Sequence, residues 1–406
     1  YDFSEDVISA ACTALANLSV SRDIQKAKVS QGCVPVLFSA MGAVPDNAGI
    51  QAEAFRALHN LCESSSLEGK RAIAAELEII VEAYSRHEGV KYIEQITCSI
   101  LCRLSTEEEC RRCMVSSSSV YTALAKIMKS NSRKKLVQKA ACLALSNLSM
   151  EEDIIPILLS KGFDSLVIDA MDSYSDCEEI QWSACEFLMN MGSNSPEASV
   201  KICSGEGIHS IVKAMQTIPL SASLQRASCG ALHAITKGDV HKNMAISAGA
   251  VDAVIYLMLV HPSDVGVLEN AMNVLSNLSS LKKCTKTIAD GGGISTVIET
   301  MRSNPSSTGI VKGGSRFIRN MALSNREYAD EALGGITPML GCMDEHPSCA
   351  RLVEESCKAL RCLVLKSESC KDRVIIADGV AVIEKTMEED GAGQRWQTLL
   401  LDELFQ

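Results

Sequence analysis

The strongest constraint on this chain is a phrase that it repeats. "ACLALSNLS" occupies Ala141–Ser149, "ACTALANLS" Ala11–Ser19, "AMNVLSNLS" Ala271–Ser279 and "AFRALHNLC" Ala54–Cys62. With the asparagine as a ruler, equivalent positions are Asn17, Asn60, Arg103, Asn147, Asn190, Ala234, Asn277, Asn320 and Cys362, spaced 42 to 44 residues apart. A fixed period of this length marks an array of one supersecondary unit. The register runs through the 406 residues and predicts a single array with no second domain.

The neighbouring columns define the unit. Two residues before the ruler and one after it the chain places large aliphatics, such as Leu145 and Leu148, or Leu275 and Leu278. Six before it stand only small residues: Ala11, Ala54, Thr97, Ala141, Ala184, Ser228, Ala271, Gly314 and Ser356. Small side chains let a second helix approach, and the large ones fill the space beside it. A second apolar segment precedes each phrase, for example Val34–Met41 and Ala253–Met258. Most of these follow a glycine: Gly32, Gly162, Gly207, Gly249, Gly293, Gly335 and Gly379. Glycine suits a sharp reversal because positive φ costs it little. Short segments such as His241–Gly249 read as a first helix, and turn-rich loops such as Val44–Gly49, His261–Asp264 and Ser303–Gly309 join the second helix to the third. No segment sustains a period-2 alternation, so no sheet is predicted.

A three-helix unit of this length, with glycine before helix two and "ALxNL" in helix three, resembles the armadillo repeat. The resemblance covers the whole chain and implies an all-α, right-handed superhelical solenoid. The approximate units are 1–20 (partial), 21–63, 64–106, 107–150, 151–193, 194–237, 238–280, 281–323, 324–365 and 366–406. One such unit cannot bury its apolar faces alone, whereas stacked units share a core. The resemblance also implies that the third helices line a concave groove that binds extended polypeptides.

Composition fits that expectation. Aromatics are only 4% of the chain, so the core is built from Ala, Leu, Ile, Val, Met and Cys. The formal charge of −11 argues against a nucleic-acid partner, whose electrostatic footprint is basic. No apolar run is long enough for a membrane span. Cysteines recur five residues before the ruler (Cys12, Cys98, Cys142, Cys185, Cys229 and Cys357), and read as reduced core thiols in a cytoplasmic or nuclear setting.

An asparagine amide can mimic a peptide group, with one acceptor and two donors. In armadillo proteins that carry import cargo or adhesion tails, the third-helix Asn pairs with the ligand backbone. The resemblance therefore implies a ladder of Asn17, Asn60, Asn147, Asn190, Asn277 and Asn320; the alternative is that these amides satisfy local backbone groups. The tryptophan column of import receptors, four before the ruler, is here Thr13, Arg56, Ser99, Leu143, Glu186, Gly230, Asn273, Arg316 and Lys358. That departure argues against a lysine-rich ligand. Lys312, Arg316 and Lys358, flanked by Arg319 and Arg361, form a basic patch instead, extended at the other end by Arg56 and Arg103. The patch reads as a site for an acidic or phosphorylated segment, or else as a face neutralised by Glu354 and Glu355.

Other motifs carry less. "CRRC" (Cys110–Cys113) lacks a second pair for zinc, and "GGG" (Gly291–Gly293) lacks the Lys-Ser/Thr of a phosphate loop. His59 and His233 stand in separate units, and no catalytic, metal or cofactor constellation emerges. The expectation is a non-enzymatic scaffold or adaptor for protein or peptide partners, with no small-molecule substrate. The alternatives are the recruiting region of a larger enzyme (a ligase, kinase or exchange factor), favoured by a start without Met inside a repeat, or an architectural rod in a large cytoskeletal assembly.

Overall fold

A computed structural model describes residues 4–20, 32–63, 67–389 and 394–405. Among these residues every regular element is a helix. The first helix expected in unit 21–63 lies outside the described residues. Two compact parts are present, residues 1–205 and 206–406.

Residues 1–205 contain five helices that carry the ruler: α1 (Glu5–Leu18), α2 (Ala48–Glu63), α3 (Lys91–Ser105), α4 (Lys135–Leu148) and α5 (Glu178–Asn194). Each packs against the next. Between them run pairs of shorter helices, such as Glu108–Val115 and Ser118–Ser130. Residues 206–406 repeat the scheme with α6 (Ala222–Ile235), α7 (Val265–Ser279), α8 (Thr308–Ser324), α9 (Ala350–Lys366) and α10 (Arg395–Phe405), again packed in succession. The irregular end "QRWQTLLLDELF" supplies α10. We call these ten the ladder helices.

The small column explains their close packing. Ala54, Ala141, Ala184 and Ala271 are fully buried, as are Thr97, Ser228 and Ser356. Only Ala11, on the first ladder helix, is exposed. The recurring cysteines Cys12, Cys98, Cys142, Cys185, Cys229 and Cys357 are buried too. In the CRRC segment, Cys110 is buried and Cys113 exposed on one helix.

A helix ends with carbonyls that have no partner of their own. Here a glutamine of the ladder helix reaches back to serve the helix before it. Gln51 Nε2 donates to Met41 O and Val44 O at 2.8 and 3.0 Å, and Gln138 to Met128 O and Asn131 O at 2.9 and 3.1 Å. Gln181 and Gln225 repeat the arrangement. A second device recurs in every other unit. Nε2 of His87, the hydroxyl of Tyr174, and Nε2 of His261 and His346 bond to backbone oxygens of Pro45, Ser132, Pro219 and Ser306 in the preceding unit's loop. The array thus carries a two-unit period on top of the single one.

In α3 the glutamine column holds Glu94, 1% exposed. Burial pushes its carboxyl up, but hydrogen bonds from Lys91 Nζ, Asn131 Nδ2 and Gly89 N–H outweigh it and hold the group below the ordinary range. A carboxyl depressed in the folded state stabilises above its unfolded value of about 4.3, and that contribution is lost as pH falls through the folded value. Glu94→Gln is therefore expected to shrink the difference in Tm between pH 7 and pH 3, read by thermal circular dichroism at both pH values.

The glycine expectation holds at three reversals and is corrected at four. Gly32, Gly162 and Gly249 have φ of 76°, 73° and 83°. In three further units the left-handed residue is the one before the expected glycine: Glu206 (φ 67°), Gly292 (φ 77°) and Asp378 (φ 56°). Gly293 and Gly379 are required for a different reason. A Cβ at Gly293 would lie 2.8 Å from Ile288 O, and one at Gly379 the same distance from Val374 O, so the second helix starts directly against the end of the first. Gly335 closes a 3₁₀ turn at φ −81° and makes no left-handed reversal.

Candidate polypeptide-binding face

The ruler asparagines have a structural task that their helical position alone does not reveal. Asn60 Nδ2 donates to Ala16 O at 3.0 Å, and Asn147 Nδ2 to Ser105 Oγ at 3.0 Å. Asn190 donates to Ser149 Oγ and Ser146 O, Asn277 to Thr236 O and Oγ1, and Asn320 to Ser276 O and Ser279 Oγ. Each amide thus ties one ladder helix to the C-terminal turn of the ladder helix before it. Asn17 differs: it is exposed, and its Oδ1 accepts from Arg56 Nη1 at 3.0 Å. For Asn147, Asn190, Asn277 and Asn320 the donor side is committed, and Oδ1 has no partner among the described residues. What the column can offer a ligand there is one acceptor per unit.

The same helix face opens into a cleft in residues 1–205. It has a volume of about 670 Å³ and is lined by α2, α3 and α4. Its apolar floor and walls include Tyr92, Ile96, Leu136, Ala140 and Leu143, with Arg56, Arg103 and Lys139 among the polar groups. Tyr92 is 46% and Leu136 68% exposed, and both line this one cleft. Both stand eleven residues before the ruler, at the start of their helices, where other units have Asp6, Gly49, Glu179, Ser223, Gly266, Gly309 and Arg351. Positions −11, −8, −7, −4 and the ruler share one helical face. An aromatic and a leucine at adjacent copies of one otherwise polar or small column were the signal in the sequence for this cleft.

The cations of the cleft are balanced. Arg56 pairs with Glu53 at 2.5 Å, Arg103 with Glu63 at 3.0 Å and Lys139 with Glu179 at 2.7 Å. Cys102 lines the cleft as a protonated thiol, since burial pushes it up to about 11 despite Arg103 and Lys139 nearby. His59 Nε2 lies 2.8 Å from Ser99 Oγ, and burial lowers its imidazole below the usual value.

In residues 206–406 the basic patch divides in two. Lys358 bonds Glu354 and Glu355 at 2.6 and 3.2 Å and sits 5.2 Å from the Trp396 ring centroid. Arg319 pairs with Glu355 at 3.0 Å, and Arg361 with Glu403 at 2.7 Å. These three are held by neighbouring carboxylates. Lys312 and Arg316 are not: Lys312 has no ion-pair partner among the described residues, and Arg316 donates from Nη2 to the neutral Asn273 Oδ1 at 3.1 Å. Burial and then the charge of Arg316 lower the imidazole of His233, so it adds no cation at neutral pH. Among the described residues no group of three or more His, Cys, Asp or Glu could hold a metal ion, and no single helix is long and apolar enough to cross a membrane.

Comparison with known proteins agrees on the fold. A family model described as "LRRK2 ARM repeat" matches residues 75–250. No curated protein matches the chain. An engineered protein from a structural genomics consortium superposes with a TM-score of 0.82 at 22% identity, over 99% of this chain and 96% of its own. A chain from a structure described by the words "a conserved phosphorylation switch controls the interaction between cadherin and beta-catenin" gives 0.82 at 19% identity, over 100% and 84%. A designed armadillo repeat protein in complex with the peptide (KR)4 gives 0.50 at 18% identity, over 59% and 98%. The fold of this chain is the all-α armadillo-repeat fold.

Proposed function

We propose that this chain is a non-enzymatic scaffold that holds extended polypeptide segments of partner proteins on the open face of its ladder helices. The cleft over α2, α3 and α4 is the observation that carries the reading. It exposes Tyr92 and Leu136 on a face with room for a large apolar side chain, and it has the concave, mostly apolar character of a ligand site. Asn147 Oδ1, at the end of α4, offers an acceptor to a backbone N–H beside it. Two of the structurally similar proteins are described with a protein or peptide partner, cadherin with beta-catenin in one and (KR)4 in the other. Acidic ligand character is supported by the cations of α8 that no carboxylate engages, and is opposite to that of the (KR)4 peptide.

The test is a displayed-peptide selection on the full chain, with the selected pool then offered to Tyr92→Asp/Leu136→Asp. Both side chains are exposed, so the variant is expected to keep its circular dichroism spectrum and melting curve while losing at least tenfold in capture. Undiminished capture by a folded variant would sink the cleft reading.

A further inference from the structure

The unpaired cations of α8 have a third companion, Arg351, at the start of α9. Lys312, Arg316 and Arg351 line one cleft of about 360 Å³ together with Glu354 and Glu355. Arg351 is exposed and has no ion-pair partner among the described residues. Arg316 Nε is enclosed and has no acceptor, so its guanidinium is fixed by Asn273 but not saturated. The two carboxylates of the cleft are already engaged: Glu354 by Lys358, Glu355 by Lys358 and Arg319. With those two partners included, five cations face two carboxylates, and three positive charges have no counter-charge.

We infer that this cleft is a subsite for a phosphorylated side chain of the bound polypeptide. The inference rests on the scaffold reading and names the chemistry that it recognises at one place. A carboxylate brings one charge and two oxygens. A phosphate monoester brings about two charges at neutral pH and three strong acceptor oxygens. Three uncommitted cations on two adjacent helices match the second better than the first. Lys312 supplies rotatable ammonium donors and Arg351 a planar fork suited to phosphate oxygens. Arg316, already oriented by Asn273, adds its charge beside them. Glu354 and Glu355 line the same cleft with their charges already taken up by Lys358 and Arg319.

The experiment uses three pooled peptide libraries with identical degenerate flanks and a central Ser, Glu or phosphoserine. Each is passed over the immobilised full chain and over Lys312→Gln/Arg351→Gln, and the bound peptides are counted by mass spectrometry. Neither residue has an ion pair to lose, so the double variant is expected to melt with the wild type. The wild type should retain the phosphoserine pool at least tenfold over both the Ser and Glu pools. The preference should collapse to less than twofold in the variant and weaken between pH 7.5 and 5.5, as the phosphate loses its second charge. Equal retention of the Ser and phosphoserine pools, or a preference that survives in the folded variant, overturns the phosphate subsite and leaves the scaffold reading standing. Retention of no pool by the wild type overturns both.

Discussion

Replacing Asn147, Asn190, Asn277 and Asn320 together by alanine is expected to cost roughly 4–6 kcal/mol of stability, at about 1 kcal/mol or more for each hydrogen-bonded amide. That is a large part of the 5–15 kcal/mol that a domain typically has. The reason is the direction of the Nδ2 bonds. Each runs to the last turn of the preceding ladder helix, so the four changes weaken four interfaces between neighbouring units and leave acceptors without donors. In a linear array the interface terms are what make separate units melt together. Urea or thermal denaturation followed by circular dichroism should show a lower midpoint and a broader transition. Asn17→Ala is the control: the residue is exposed and bonds only Arg56 among the contacts described, and its loss should cost well under 1 kcal/mol. A quadruple variant as stable as the wild type would show that the amides are not inter-unit ties.

The second large effect concerns the small column. Ala141→Leu is expected to destabilise by about 3 kcal/mol, because Ala141 is fully buried where α4 packs against its neighbours and three added heavy atoms have no space. The same change at Ala11 should cost less than about 0.5 kcal/mol. Ala11 occupies the same column, but on α1 it is exposed. The pair separates packing from helix propensity, since both substitutions are Ala to Leu in a helix. Equal melting temperatures for the two variants would contradict the packing account.

Much of this fold was legible because the repeat writes each rule many times. The period, the small column and the paired aliphatics predicted a three-helix unit, and the helices that carry the ruler follow. The glycines were read less well. A Gly in sequence does not say whether it is there for positive φ, as at Gly162, or for the missing Cβ, as at Gly293 against Ile288 O. Glu206 and Asp378 could not be read as left-handed from their identity alone.

The binding face was half legible. Helical phase placed Lys312, Arg316 and Asn320 on one face, but phase gives a direction and not a partner. The carboxylates that occupy Arg103 and Arg361 lie forty or more residues away, at Glu63 and Glu403, and only the packed array brings them together. Glu354 and Glu355 were within reach by sequence, and they do engage Lys358. The column eleven before the ruler, which holds Tyr92, Leu136 and Arg351, escaped notice because it lies outside the repeated phrase, about three turns before the ruler at the variable start of each helix.

The most direct test of the central claim is a hydrogen–deuterium exchange footprint of a selected peptide on the full chain. The account predicts that slowed backbone amide exchange concentrates on the ladder helices, with α2, α3 and α4 affected first and the slowing lost in Tyr92→Asp/Leu136→Asp. Protection confined to the shorter helices between them, with the ladder helices unchanged, would contradict it.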